Sequence, residues 1–182
     1  MADSPSGYVA AAIFGTSVLL LFAVSASNHL IPWPRLAQEI VHRLDHAMIF
    51  IAIAGMYTPF CLVTLPLPWG IPILCVVWSF AALGASLKLL VAGLPRWLSV
   101  GAYQALGWVA LVAVVPLANH LPAPGLVGLL AAGVLFSAGG IVFGARWPNP
   151  APRLFGHHEL FHTLQTAATI VIYVVVGRYA VG

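Results

Sequence analysis

Histidine is the residue type in this 182-residue sequence with the greatest capacity for chemistry, and its spacing is uneven. His158 and His162 lie four residues apart. A helix would place both imidazoles on one face, with Cβ atoms about 5–6 Å apart. Ser25 and His29 have the same spacing much earlier in the chain. Imidazoles that converge on one point are typical ligands of zinc, so we ask which elements would bring them together.

The elements that must position these side chains are apolar helices. Hydrophobic residues make up 62% of the chain, charged residues 6%, and the mean hydropathy is +1.02. A soluble domain normally has about 25% charged residues. Four acidic and seven basic side chains cannot cover a globule of this size. The composition therefore excludes a cytosolic enzyme, a nucleic-acid binder and a disordered chain, and it indicates an all-α polytopic membrane helix bundle.

Six apolar runs are long enough to cross the hydrocarbon core, which requires about 20 residues in a helix. They comprise residues 8–30, 45–65, 69–91, 97–118, 121–144 and 158–179. Prolines and glycines separate the runs, as expected of residues that interrupt helices. The tails and loops that remain are too short for a further domain. We predict one transmembrane helical bundle domain over residues 1–182.

Basic residues are distributed unequally among the predicted loops. Only Arg178 lies on one side. The loops after the first, third and fifth spans contain or adjoin the other six, namely Arg35, Arg43, Lys88, Arg96, Arg146 and Arg153. Cytoplasmic loops carry an excess of Lys and Arg. We therefore predict that these three loops face the cytoplasm and that both termini lie outside.

Polar side chains gather at this predicted cytoplasmic end. His29 ends the first span, Asp45 begins the second, and His158 and His162 begin the sixth. Polar groups near the hydrocarbon are costly and by default mark a functional site. Three imidazoles with a nearby carboxylate suit zinc, and three protein ligands leave a fourth position for water, as in catalytic sites. Ser25, one turn before His29, is predicted to lie beside this site.

Other interpretations of the polar residues stay open. We interpret His42, His46, His120 and His157 as solvated side chains near the membrane surface. Residues 158–162 also match the pattern H-E-x-x-H, in which two histidines bind zinc and the glutamate is the general base of a metalloprotease. Glu159 would be that base. No second motif completes this pattern, so an intramembrane metalloprotease is kept as an alternative.

Several short motifs, taken in order, resemble the hemolysin III family. This family is the bacterial branch of the progestin and adipoQ receptor family, which is related to the adiponectin receptors and alkaline ceramidases. The resemblance covers nearly the whole chain. The motifs are Ser25-Ala26-Ser27-Asn28-His29, Arg43-Leu44-Asp45-His46, Ile53-Ala54-Gly55-Met56-Tyr57-Thr58-Pro59-Phe60, Gly139-Gly140, Phe143-Gly144-Ala145-Arg146, Pro148-Asn149-Pro150 and Gly156-His157-His158-Glu159-Leu160-Phe161-His162.

The resemblance implies a zinc ion near the cytoplasmic face of a bacterial plasma-membrane protein. Its ligands would be His29, His158 and His162, while the family aspartate and serine fall on Asp45 and Ser25. We predict that these two residues are catalytic: Asp45 would hold the water or accept its proton, and Ser25 would orient that water or donate to the oxyanion. The implied activity is that of a zinc-dependent hydrolase of lipid amide or ester bonds, similar to a ceramidase, with a membrane lipid as substrate. A non-catalytic, zinc-stapled sensor is an alternative. A pore-forming cytolysin is disfavoured because the polar residues stop at one face.

The sequence departs from the family pattern in one respect. The family has seven spans and this sequence shows six, because its first run matches the second helix of the family. The first family helix is therefore expected to be absent. A second copy of the chain, forming a homo-oligomer, or another partner would then cover the side of the site that this helix covers elsewhere.

Overall fold

The computed structural model describes residues 4–91, 93–151 and 154–180, and helices dominate this part of the chain. The α-helices are α1 Pro5–Leu30, α2 Arg35–Pro59, α3 Leu67–Leu90, α4 Arg96–Trp108, α5 Val114–His120, α6 Ala123–Ala145 and α7 His157–Val175. Among the described residues there is no strand beyond an isolated bridge between Ala151 and Phe155. The all-α prediction is confirmed.

Three short helical segments of other kinds continue these helices. They are a π-helix at Phe60–Thr64, a 3-10 helix at Val109–Ala113 and a π-helix at Val176–Ala180. With these included, the described residues contain six helices long and apolar enough to cross a membrane, namely Pro5–Leu30, Arg35–Thr64, Leu67–Leu90, Arg96–His120, Ala123–Ala145 and His157–Ala180. The prediction of six transmembrane helices is confirmed.

Prolines account for the irregular segments of the second and fourth spans. Pro59 ends α2, and the π-helix begins at the next residue. Pro116 lies in α5, directly after the 3-10 segment. A proline lacks an N–H donor, and its ring clashes with the carbonyl four residues before it. The helix therefore changes its hydrogen-bonding pattern around both residues while it continues across the predicted span.

The second helix begins ten residues before the apolar run that was used to predict it. Pro34 occupies its N-cap, and the helix starts at Arg35 rather than at residue 45. His42 therefore lies within α2 rather than in a loop, and Asp45 and His46 lie in its third turn rather than at its start. The reason is that polar residues such as Gln38 form helices readily, so the apolar run marks the depth of the membrane and not the helix boundary.

The chain divides into two compact units, one up to residue 94 and the other from residue 95 to residue 180. The first unit contains α1, α2 and α3, and the second contains α4 to α7. The prediction of a single domain over residues 1–182 stays a prediction. Pro152 and Arg153, the latter one of the six clustered basic residues, lie outside the described residues.

In the first unit, α2 packs against both α1 and α3. Gly55 allows the close approach to α1, because a Cβ atom built there would overlap the hydroxyl group of Ser17. The Ser17 hydroxyl in turn donates to the Phe14 carbonyl at 2.9 Å. On the α3 side, the indole N–H of Trp78 donates to Thr58 Oγ1 at 3.2 Å. Small residues that let helices approach closely are characteristic of membrane interiors.

In the second unit, α6 packs against α7 and α4. A Cβ atom at Gly139 would lie 2.8 Å from Nε2 of Gln165 on α7, and one at Gly140 would lie 2.9 Å from Oε1 of Gln104 on α4. Gln165 donates to the Phe136 carbonyl at 3.4 Å, which ties α7 to the α6 backbone. Gly139 thus sets the separation at which α7, with its two histidines, lies against α6, and Gly140 sets that of α4.

Replacing Gly55 with alanine should destabilise the protein by about 1–3 kcal/mol, because the added methyl group overpacks the contact with Ser17. Unfolding in mixed detergent micelles, followed by circular dichroism, measures this change. Gly15→Ala is the matched control, since no atom lies within 4 Å of a Cβ built at Gly15. Equal stability of the two variants would contradict the close packing of α1 and α2.

Candidate metal centre

The start of α7 is held by two side chains that cap it. Oε2 of Glu159 accepts a hydrogen bond from the Gly156 N–H at 2.8 Å. Oδ1 of Asn149 accepts from the His157 N–H at 2.7 Å and lies 3.0 Å from His157 Nδ1. The first N–H groups of a helix have no partner within the helix, so these bonds satisfy donors that would otherwise be unpaired. They fix where α7 begins and therefore the position of the histidines in its first turns.

His158 and His162 lie on one face of α7, as their spacing predicts. Their Nε2 atoms are 3.1 Å apart, and their rings are nearly perpendicular, at 82°, with centroids 4.6 Å apart. Two imidazole ligands of one tetrahedral zinc ion would have nitrogen atoms roughly 3.3 Å apart, given Zn–N bonds of about 2.0–2.1 Å. The observed distance also suits a hydrogen bond between neutral imidazoles. The pair therefore has the geometry of two ligands of one ion.

Aromatic rings from α6 and α7 surround this pair. Phe143 stacks against Phe161 with ring centroids 4.8 Å apart, and Phe161 contacts the His162 ring at 5.1 Å. The Phe143 ring also lies 6.2 Å from the His158 ring. The guanidinium group of Arg96 covers Phe143 at 4.9 Å from its centroid. These rings restrict rotation of the imidazoles and make their surroundings largely apolar.

Glu159 does not have the position that a metalloprotease requires. Its carboxylate is exposed and accepts the hydrogen bond from Gly156 at the helix start. A general base would instead face the reacting atoms beside the metal. Neighbouring residues on a helix differ in direction by about 100°, so Glu159 points away from the face that carries His158 and His162. The geometry therefore gives the glutamate of H-E-x-x-H a capping role.

In the first unit, the end of α1 is joined to α2 by a chain of polar groups, of which Asn28 and Asp45 are buried and Gln38 is half-buried. The amide N–H of Asn28 donates to Oδ2 of Asp45 at 3.0 Å, and both residues are less than a tenth exposed. Nε2 of Gln38 donates to Oδ1 of Asn28 at 2.9 Å, which orients the amide so that its donor faces Asp45. His29, the next residue along α1, is exposed, and Ser25 is half-buried one turn earlier.

Three of the predicted site residues are within reach of one another. Among the described residues, His29, His158 and His162 form the group that could hold a metal ion, because one ring nitrogen of each lies within 4.8 Å of the other two. Neutral imidazole suits zinc, but it also suits copper, nickel and iron, so the donor set does not identify the metal. The catalytic roles predicted for Asp45 and Ser25 stay predictions.

Sequence reasoning missed two residues of the Asp45 network. Asn28 was part of a quoted motif but received no role, although an amide within an apolar run is itself a signal of a polar partner. Gln38 was assigned to a loop because the second helix was predicted to begin too late. Asn149 was likewise quoted without a role, and its contact with His157 depends on the folded loop.

The fold and these residues define a multi-pass integral membrane protein with a candidate trihistidine metal site. The family described as "Haemolysin-III related" matches residues 1–173, and the chain belongs to that family. "Hemolysin-3" of Bacillus cereus is 37% identical over 138 residues, which cover 76% of this chain and 63% of the relative, less than two thirds of its length. "Hemolysin-3 homolog" of Bacillus subtilis (strain 168) is 32% identical over 169 residues, covering 93% and 76% of the two chains. No solved structure matches the chain.

Replacing Asn28 with alanine should destabilise the protein by about 1.5–3 kcal/mol, the range for a hydrogen bond to a charged group, because Asp45 stays buried without this donor. Unfolding in mixed micelles measures the change. Asn119→Ala is the control, since Asn119 is exposed near the end of α5. A loss at Asn28 no larger than that at Asn119 would contradict a role for this bond in stability.

Proposed function

We propose that this protein is a zinc-dependent membrane hydrolase that cleaves amide or ester bonds of lipids. The observation that carries the proposal is the 3.1 Å separation of His158 and His162 Nε2, with His29 as the third imidazole within reach. Capping bonds and aromatic contacts hold these two nitrogens at this distance. Such a fixed pair is more typical of metal ligands than of solvated surface histidines. Membership of the haemolysin-III related family supports the resemblance that implied these three ligands.

The three histidines would hold the ion as neutral ligands and leave a coordination position for water or substrate. A bound zinc ion would supply Lewis-acid chemistry, since it polarises carbonyl groups and makes a coordinated water more acidic. The chain itself supplies orientation. The capped start of α7 and the rings of Phe143 and Phe161 keep both imidazoles of that helix in place.

Asp45 is the proposed proton acceptor. Its carboxylate is buried, and Asn28 donates to Oδ2, so the carboxylate is held in one orientation with Oδ1 as the acceptor for a proton from the attacking water. Ser25 is proposed to orient that water or to donate to the developing oxyanion. Because the two α7 ligands begin a membrane-spanning helix, we propose a lipid that enters from the hydrocarbon as the substrate.

We further propose that this end of the protein faces the cytoplasm of a bacterial plasma membrane and that both termini lie outside. Support comes from each unit separately. Arg43 on α2 reaches the Leu89 carbonyl at the end of α3, and Arg96 at the start of α4 reaches the Phe143 carbonyl near the end of α6. Phe143 also contacts Phe161 in the second turn of α7. Basic residues thus cluster at one end of each unit, as cytoplasmic ends do.

Removing either α7 ligand should abolish metal binding. We expect zinc in the purified protein by elemental analysis, and we expect His158→Ala and His162→Ala to lose it, because two remaining imidazoles hold an ion weakly. His120→Ala is the control, since this histidine contacts the Pro116 carbonyl in α5 and should be neutral for metal content. Wild-type zinc content in both α7 variants would end the metal-site proposal.

Asp45→Asn should retain the metal but lose at least about 100-fold in hydrolysis, a loss typical of removing a general base. The assay follows a fluorescent N-acyl amino-alcohol lipid and its ester analogue in detergent micelles. Glu39→Gln, an exposed carboxylate on the same helix, is the control and should keep wild-type rates. Undiminished turnover of Asp45→Asn would remove its role as base. A zinc-loaded wild type inactive on both lipids would favour the zinc-stapled sensor.

A further inference from the structure

A cluster of basic side chains lies where the first half of α2 meets the end of α3. Nη1 of Arg43 donates to the Leu89 carbonyl at 3.3 Å. The last carbonyls of a helix have no donor within it and carry partial negative charge, so this contact is favourable. A guanidinium has five N–H donors, and this bond uses one of them. Lys88, which precedes Leu89, lies in the last turn of α3 and is half-buried.

The positive charges of Arg43 and Lys88 are not neutralised by an ion pair with any of the described residues. No carboxylate in that part of the chain lies within 4.0 Å of a nitrogen of Arg43 or Lys88. Of the two acidic residues of α2, Asp45 accepts a hydrogen bond from Asn28 on α1, and Glu39 is exposed to solvent. Cations that lack an ion-pair partner at the end of a membrane-spanning unit are suited to an external anion.

Two histidines of α2 extend the cluster. The His42 and His46 rings lie one helical turn apart, with centroids separated by 4.5 Å. His46 Nδ1 donates to the His42 carbonyl at 2.9 Å, which fixes the orientation of its ring. Lys88 and the neighbouring Asp45 both act electrostatically on His46. An anion bound between these groups would relieve the repulsion between the ammonium, the guanidinium and any protonated imidazole.

Apolar side chains border the cluster on both helices. Ile40 is 51% exposed on α2, and Leu87 and Leu90 are 44% and 81% exposed on α3. A ligand that contacts both regions needs an anionic group and hydrocarbon chains. Guanidinium and ammonium groups together favour phosphate oxygens, and basic pockets at the ends of membrane helices bind anionic head groups. We propose that Arg43, Lys88, His42 and His46 bind the phosphate of an anionic phospholipid.

Native mass spectrometry of the full-length protein in detergent tests this site. The probes are short-chain phosphatidylglycerol and phosphatidylcholine with the same acyl chains. We expect the wild type to retain phosphatidylglycerol preferentially and Arg43→Gln/Lys88→Gln to bind it at least about 10-fold more weakly, the effect of losing two charge-assisted contacts. Arg35→Gln/Arg178→Gln removes the same charge elsewhere and should bind like the wild type. Equal weakening of both double variants, or equal retention of both lipids by the wild type, would overturn the proposal.

Three further measurements separate the other outcomes. Lys88→Gln alone leaves the Arg43–Leu89 bond in place, so weaker lipid binding by this variant cannot come from a disrupted helix end, and unchanged binding would overturn the role of Lys88. Inorganic phosphate distinguishes the sources of the anion. Phosphate that displaces the lipid only at large excess supports the phospholipid, whereas equal affinity for both would identify a free-phosphate site. His158→Ala should retain the lipid, so this site stands independently of the metal.

Discussion

Polar groups inside a membrane-spanning protein must find partners within the protein, and this constraint organises both units. Asp45 is held by Asn28, which Gln38 orients, and Trp78 is held by Thr58. The α7 histidines face one another, and the helix that carries them begins with caps from Asn149 and Glu159. The contacts of Asn28, Thr58 and Asn149 link separate segments of the chain, so satisfying these polar groups also fixes the position of a second helix or loop.

Gly139 helps a polar side chain find a partner because it lets α7 approach the backbone of α6 closely. With Gly139 facing Gln165, the amide of Gln165 can reach the α6 backbone. A larger residue at Gly139 would displace α7 and with it the register at which Phe143 stacks on Phe161. The geometry of the imidazole pair therefore depends on small residues further along the bundle, which make no contact with the imidazoles themselves.

The sequence predicts the spans and the histidine pair well, and for physical reasons. Apolar length determines which segments cross a bilayer, and the i, i+4 rule determines which imidazoles share a face, so His158 and His162 follow from spacing alone. The predicted start of the second helix was wrong because hydrophobicity reports membrane depth, whereas the helix continues through polar residues back to Arg35, next to Pro34.

The partners of the site residues were harder to predict because they depend on contacts between separate helices. Asn28 and Asp45 are seventeen residues apart in the sequence, and their bond requires a particular rotation of α1 against α2. No periodicity specifies that rotation, which is set instead by the packing of Gly55 on Ser17. The capping of α7 by Asn149 likewise depends on the conformation of the loop before it.

The positions of Arg43 and Asp45 show that α2 presents two different chemical faces. Residues two positions apart on a helix differ in direction by about 200°, so the Arg43 and Asp45 side chains point to nearly opposite sides. The contacts agree, since Arg43 reaches α3 at Leu89 while Asp45 receives its hydrogen bond from Asn28 on α1. The Arg43–Leu89 contact and the Asn28–Asp45 bond therefore lie on separate sides of α2, whereas His42, three residues before Asp45, lies within about 60° of the direction of that carboxylate. If both sites act, a phospholipid held by Arg43 and Lys88 anchors or regulates the first unit from the α3 side.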